Sequence, residues 1–304
     1  MKLLINALSA RRGGIVTYTR NVTSVLVDRG FEVVIAAPSN MDFKFGNAEH
    51  IKIDVAGYPP IKRAVWEQVV WRRIVSGLRP DVLFSSANYA LLRCPMPQVL
   101  LIREGGLFDP FYLANVAPEQ GLRAAALRNL RRRLMIRSAR QSDRVLTPSE
   151  TTRVQFLKWA PDLGSKVTAN HYGAPMKNFA PHTGAICRVA KGLTRLLYVS
   201  VYYPHKSPYV LVRAVDLLNR EGFPVNATIS MTEAEISARS GSALDQLTIA
   251  SAASKDAIQL GFHNYQFLPD LYHNHDIFVF PSVNETFGHP MAEAMSAGIP
   301  IIAA

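Results

Sequence analysis

The chain has 304 residues, a net charge of +11, 48% apolar residues and 19% charged ones. That balance excludes a disordered or collagen-like chain and leaves a globular one with room for two domains or one large one. No apolar run approaches a membrane span. Two cysteines, Cys94 and Cys187, are too few for a disulfide framework and point to a reducing, cytoplasmic compartment. Residues 1–10 faintly imitate a signal peptide, but Asn6 interrupts the short apolar stretch and Arg11-Arg12-Gly13-Gly14 follows at once. A first strand running into a loop is the better reading.

Strands and helices then alternate. Residues 2–6 read as a strand, and Ile15, Tyr18, Val22 and Val25 fall on one face of a helix that Gly30 ends. Strands follow at 32–37, 81–84, 98–102, 144–147 and 166–169, with helices at 61–77, 121–141 and 150–159. The stretch 173–192, with Pro175 and Pro181, reads as a loop and places a domain boundary, giving units 1–180 and 181–304. A second alternating set begins at 196–201. It continues through a helix at 207–220, a strand at 225–231, a helix near 243–253, a strand at 257–260 and a helix near 265–274. The pattern is two doubly wound α/β units in tandem, whose facing strand ends are expected to form a cleft.

The segment 276–304 carries the most chemistry. Asp276-Ile-Phe-Val-Phe280 is a short apolar run of the buried parallel kind, stopped by Pro281 and Ser282. Pro290 suits a helix start, and Gly298 and Pro300 suit its end before a last strand. Gly288 therefore lies where backbone N–H groups are unpaired, and without a side chain it lets a phosphate approach. Glu285 lies in the loop before the helix, and Glu293 lies about one turn in. Carboxylates repel phosphate but accept hydrogen bonds from hydroxyls. A ligand with a central phosphate and hydroxyls at both ends fits, as a nucleotide sugar does. Taken singly, either glutamate reads as an ordinary solvated residue.

Glu285 and Glu293, with seven residues between them, together with Phe287-Gly-His-Pro290 and Glu293-Ala-Met-Ser-Ala-Gly298-Ile-Pro300, resemble the E-x7-E motif of the retaining GT-B glycosyltransferases of family 4. The resemblance implies a GT-B fold of two Rossmann-like domains, an acceptor side in the first and a nucleotide-sugar side in the second. It implies that Glu285 contacts the donor sugar, that Glu293 contacts the ribose, and that N–H groups around Thr286, Phe287 and Gly288 hold the diphosphate. It places the loop at Gly13 and Gly14 near the donor phosphate or the acceptor. That loop lacks the dinucleotide fingerprint, so NAD has little support.

Tyr198-Val-Ser-Val201-Tyr-Tyr-Pro-His205-Lys206-Ser207 resembles the family stretch in which an arginine and a lysine flank the diphosphate. Lys206 fits the lysine; Val201 stands at the arginine's place, and His205 or a distant arginine is left to compensate. Arg103-Glu104 follows a first-domain strand where many relatives carry a histidine. Glu104 either accepts the acceptor's proton or binds its hydroxyls, or it is an ion-pair partner of Arg103; the two readings stand equal. His171 resembles part of a structural turn. No Asp-x-Asp and no His/Cys cluster with metal-ligand spacing occurs, so neither a metal nor another cofactor is expected.

Arginines at 123, 128, 131, 132, 133, 137, 140 and 144 face only Asp143 in their own stretch, interleaved with Leu127, Leu130, Leu134 and Ile136. Lys62, Arg63, Arg72 and Arg73 accompany Trp66 and Trp71. Such helices suit an anionic membrane surface, between Arg123 and Arg144 above all. The competing reading is solvated basic faces with the leucines and tryptophans in the core. No nucleic-acid recognition motif accompanies the charge.

The resulting expectation is a retaining hexosyltransferase. It takes a nucleotide-diphosphate sugar and an acceptor hydroxyl on a glycan, polysaccharide or lipid-linked chain. It would work in cell-envelope synthesis at the inner membrane face, with Lys206, Glu285 and Glu104 as catalytic groups. The alternative is a degenerate or non-catalytic nucleotide-sugar-binding relative, favoured by Val201 and by a second domain that ends early at Ala304 compared with the family.

Overall fold

The structure is a computed structural model and describes residues 1–10, 14–41, 43, 46–55, 57–173, 179–180, 192–238, 242–253 and 255–304. Gly13, Arg11, Arg12, Pro175, Pro181, Cys187 and most of the expected loop at 173–192 lie outside the described residues. Two compact units divide the chain: Met1–Pro110 with Leu122–Tyr172, and Phe111–Gly121 with Gly173–Ala304.

The first unit runs β1 (Lys2–Asn6), α1 (Gly14–Asp28), β2 (Glu32–Ala37), β3 (Glu49–Lys52), α2 (Pro60–Trp66), α3 (Arg72–Leu78), β4 (Val82–Ser85) and β5 (Gln98–Leu101). After α4 (Pro110–Asn115) come α5 (Gly121–Arg140), β6 (Arg144–Thr147), α6 (Glu150–Leu157) and β7 (Val167–Ala169). The sheet is parallel in the order β3-β2-β1-β4-β5-β6-β7, with Leu4 opposite Val34 on one side and Leu83 on the other. Both faces are covered, as a parallel sheet requires. Leu4 packs with Val34, Trp71 and Val75, whereas its neighbour Ile5 packs with Ile15, Ile35 and Phe43 on the opposite side.

The second unit repeats the plan with β8 (Thr194–Tyr198), α7 (Pro208–Arg220), β9 (Val225–Ile229), α8 (Glu233–Ile236), α9 (Ala243–Ser251), β10 (Ile258–Leu260), α10 (Leu268–His273), β11 (Ile277–Phe280), α11 (His289–Ser296) and β12 (Ile301–Ala303). Its parallel sheet has the order β10-β9-β8-β11-β12. Buried Asp276 fastens β11 to β8 through Arg195, whose backbone N–H and guanidinium donate at 2.8, 3.1 and 2.9 Å. Those donors hold the carboxyl below its ordinary value although burial works the other way.

The structure departs from the sequence reading in several places. The helix expected at 61–77 contains a π turn, Glu67–Trp71, between α2 and α3. In α1, Ile15 and Tyr18 turn inward as expected, but Val25 is exposed and Thr19 and Thr23 are buried. The inward stripe is centred on positions 15, 19, 22 and 26, and Val25 lies roughly 80° from Ile15 at 100° per residue. The short elements β3, α4 and α8 lacked an apolar run long enough to predict them. Trp71 is 0% exposed and Trp66 packs against the same core, so these tryptophans are not surface anchors. The α5 leucines do the opposite: Leu127, Leu130 and Leu134 are 53%, 53% and 41% exposed.

Candidate functional site

In the second unit the sheet extends from β8 through β9 to β10 one way and from β11 to β12 the other. The winding therefore reverses between β8 and β11, the position at which open α/β sheets generally bind ligands beyond the carboxyl strand ends. Residues 199–207 leave β8 and residues 281–288 leave β11. Lys206 and Glu285 lie on these two loops.

Their side chains meet: the Lys206 Nζ donates to Glu285 Oε1 in a short ion pair. Lys206 is only 8% exposed and its Nζ lies 5.8 Å from the Phe280 ring centroid. Its N–H donates to the Tyr203 carbonyl at 2.8 Å, and its carbonyl accepts from the Tyr198 hydroxyl at 2.7 Å. The two loops are stitched through His205, whose carbonyl accepts from the Val283 N–H at 3.0 Å and the Ser282 hydroxyl at 3.4 Å. Ser207 then turns the chain in the left-handed region, at φ 47° and ψ 50°, before Pro208 starts α7. The N-terminal turn of α7 is held by buried Asp245 of α9, which accepts from the Tyr209 N–H at 3.1 Å and the Tyr202 hydroxyl at 2.9 Å. A negative group is favourable at that helix end.

Gly288 precedes α11 at φ 79° and ψ 57°, a conformation that a side chain would strain. A Cβ there would also touch Phe280 Cε1 at 3.5 Å. Pro290 occupies the first turn as expected, and the Met291 and Ala292 N–H groups donate back to the Gly288 carbonyl at 3.0 and 3.1 Å. Thr286 and Phe287 are half-buried in the loop, with the Phe287 ring 5.0 Å from that of His289.

Glu293 is not the exposed helix residue of the simplest reading. It is 4% exposed, and its Oε2 accepts from the Tyr272 hydroxyl at 3.0 Å. Burial pushes its carboxyl up to about 7, while hydroxyls from Tyr272 and Tyr265 act in the opposite direction. A carboxylate offers about four lone-pair sites, so two tyrosines leave room for further hydroxyl donors.

His205 does not replace a missing cation. Burial, helped by the charge of Lys206, pushes its pKa down to about 3, so the ring is neutral near pH 7. Val201 is half-buried and brings no charge.

In the first unit Gly14 opens α1. Arg103 and Glu104 follow β5, and the Arg103 N–H donates to Asn88 Oδ1 at 2.8 Å. Glu104 does form an ion pair, but with Arg131 of α5 at 2.5 Å instead of with Arg103. Arg131 Nε also reaches the Tyr89 hydroxyl at 3.4 Å. Burial raises the Glu104 carboxyl above its ordinary value against the pull of both arginines. His171 is exposed at the surface.

The basic helix is less bare than its sequence suggests. Arg131 pairs with Glu104, Arg140 with Asp162 at 3.0 Å, and buried Arg132 donates to the Leu107 carbonyl at 2.7 Å beneath the Trp159 ring. Arg123, Arg133 and Arg137 are exposed beside the leucines. Among the described residues no group of three or more His, Cys, Asp or Glu is placed to hold a metal ion, and no helix is long and apolar enough to cross a membrane.

Sequence reasoning missed the tyrosines. Tyr272 and Tyr265 hold Glu293, Tyr198 holds the Lys206 loop, and Tyr202 holds Asp245. Their spacing follows no motif: the partners lie 8, 21 and 43 residues away for Tyr198, Tyr272 and Tyr202.

Two family profiles match the chain: Glycosyltransferase Family 4 over residues 12–167, half of the chain, and Glycosyl transferases group 1 over residues 188–304. No curated protein sequence matches. Among solved structures, sucrose-phosphate synthase from Thermosynechococcus elongatus is similar over 100% of this chain and 81% of its own, with TM-score 0.78 and 15% identity. WaaG, a glycosyltransferase involved in lipopolysaccharide biosynthesis, is similar over 100% and 80%, with TM-score 0.72 and 14% identity. Anabaena HepE, solved in complex with UDP-glucose, is similar over 100% and 80%, with TM-score 0.71 and 15% identity. At such identities the likeness concerns the fold, which is of the GT-B class. With the family profiles covering both units, the chain belongs to glycosyltransferase family 4 and is a glycosyltransferase enzyme.

Proposed function

We propose that the enzyme transfers a hexose, with retention, from a nucleotide-diphosphate sugar to an acceptor hydroxyl on a glycan, polysaccharide or lipid-linked chain. The observation that carries this reading is the Lys206–Glu285 pair, a buried lysine against a half-buried glutamate, at the β8/β11 switch point beside the Gly288 turn into α11. In this reading the diphosphate takes Lys206 and the N–H groups of 286–288, and Glu285 turns to the sugar hydroxyls. Glu293, steadied by Tyr272 and Tyr265, accepts from the ribose. Gly13 and Gly14 border the phosphate or acceptor path.

The bond from the anomeric carbon to the diphosphate oxygen breaks, and its electron pair leaves with the diphosphate. The acceptor oxygen bonds to the same face of that carbon and passes its proton to the departing phosphate oxygen. Lys206 offsets the charge that develops on the leaving group, and positioning with fixed charge supplies most of the rate. Glu104, held by Arg131 with Arg103 near, binds and orients the acceptor hydroxyl.

The exposed ridge Leu127, Leu130 and Leu134, flanked by Arg123, Arg133 and Arg137, is proposed to rest on an anionic membrane surface that carries a lipid-linked acceptor. That would place the enzyme in the cytoplasm at the inner face of the membrane, in cell-envelope synthesis.

A panel of UDP-, GDP- and ADP-sugars with nucleoside diphosphate release as readout tests the donor reading. Glu293→Ala should lose nucleotide affinity and Lys206→Ala should lose turnover. Wild-type-like transfer by both variants would overturn the assignment.

A further inference from the structure

The chain between β5 and α5 does not stay with the unit that holds both ends. Phe111–Gly121 clusters with the second unit, although Glu104 before it and Arg131 after it belong to the first. Its Tyr112 ring meets the His205 ring edge-on, with centroids 5.9 Å apart and planes at 79°. The Gln120 side-chain amide donates to the Tyr112 hydroxyl at 3.2 Å. On the other contact of His205, Tyr203 stacks at 5.6 Å and 10°. The imidazole is thus gripped by two aromatic rings, one from its own loop and one from residue 112.

His205 immediately precedes Lys206, and its carbonyl takes the bonds from Val283 and Ser282 that join the two donor loops. An aromatic contact on this imidazole therefore bears on where the Lys206 amine stands. Edge-to-face pairs of this kind are directional and favour one relative placement of the two rings. A neutral ring suits the grip, and burial together with Lys206 keeps His205 neutral. Glu119 of the same segment bears electrostatically on Tyr202 and Asp245, the pair that anchors the start of α7 just after Lys206.

From this geometry we propose that Phe111–Gly121 is a strap on the donor loop and that Tyr112 is a positioning residue, setting the Lys206 amine through His205. The inference rests on the donor role of Lys206 proposed above.

The test compares Tyr112→Ala, Tyr112→Phe and Tyr203→Ala with the wild type, using release of nucleoside diphosphate from UDP-glucose, GDP-mannose and ADP-glucose. Wild-type release from one of the three, or binding of UDP, GDP or ADP, establishes the donor site independently. Its complete absence overturns the donor reading and the strap with it. Given a working donor, Tyr112→Ala should lower kcat about 10- to 100-fold through misplacement of the amine, with acceptor KM unchanged. Tyr112→Phe should restore most of that rate, because the ring edge remains. Tyr203→Ala should lower kcat similarly, and the double variant should lose less than the product of the two effects. A merely structural role would lower the thermal midpoint and the amount of active enzyme, and leave kcat per nucleotide-binding site unchanged. If Tyr112→Ala does not fold, Tyr112→Leu carries the same test. A kcat within twofold of wild type, an effect confined to acceptor KM, or multiplicative losses in the double variant would each overturn the strap.

Discussion

In the second unit Lys206 and Glu285 leave neighbouring strands and meet although 79 residues separate them. In the first unit Glu104 leaves a strand in the same manner but is met by Arg131 from α5, only 27 residues away. Neither pairing was foreseen from the sequence, but the more distant one has the simpler geometric cause. Both of its members sit just beyond strand ends, and parallel winding brings consecutive strand ends to one edge of the sheet. The Glu104 partner depends on the phase of a helix. Successive residues of α5 turn by about 100°, so which of its arginines reaches the strand end follows from where the helix starts and how it rolls on the sheet.

Replacing the cation should give the largest separation between the two regions. Lys206→Ala is expected to lower kcat by about 100- to 1000-fold, the effect of losing one group aimed at developing charge. Single-turnover rates at saturating donor measure it, and a drop below tenfold would place the decisive charge elsewhere.

The second comparison is by pH. Glu293 has a folded-state pKa of about 7 against an ordinary 4.5, so the folded chain keeps its proton longer than the unfolded one. Stability should then fall as pH rises from 4.5 through 7, by at most about 3 kcal/mol from this group. Nucleotide affinity should move the other way, since the ionised carboxylate is the better acceptor for ribose hydroxyls. Thermal unfolding and nucleotide titration at pH 5, 6, 7 and 8 read both slopes, and Glu293→Gln should flatten them.

A smaller effect is expected in the first unit. Arg131→Ala removes a partly exposed ion pair and should cost under about 1 kcal/mol of stability. Acceptor KM should change severalfold with donor affinity unchanged. A change in donor affinity alone would detach Glu104 from the acceptor.

The smallest structural effect belongs to the α5 ridge. Serine at Leu127, Leu130 and Leu134 should alter stability by no more than about 0.5 kcal/mol per site. Co-sedimentation with phosphatidylserine vesicles should weaken, and unchanged sedimentation would remove the membrane assignment.

The strand–helix alternation and the glutamate segment were legible because they are local. Asp276 to Phe280 is a buried run, and Gly288 and Pro290 mark a helix start by backbone chemistry alone. What was lost was of three kinds. Short elements such as β3 carry too few apolar residues to show a period. The Thr232–Glu235 capping box was present in the sequence as a helix-start signal, yet the four-residue α8 it opens is too short to show helical periodicity. The fates of Trp71 and Leu127 could not be separated, because both occur in basic, apolar-rich helices and only packing decides which side chain faces the sheet.

The π turn at Glu67–Trp71 has a consequence for comparison between relatives. A π turn holds one residue more than an α turn needs, so it behaves as a single-residue insertion absorbed inside a helix. Upstream, Arg63 pairs with Glu67 and reaches Ser9 at 2.8 Å; downstream, Trp71 and Val75 fill the core. Taking out one residue inside the turn would restore plain α geometry there, with Trp71 and Val75 still facing the core and the Ser9 contact in place. Relatives that lack the turn should therefore align with a one-residue gap in mid-helix and carry their large core side chain one position earlier.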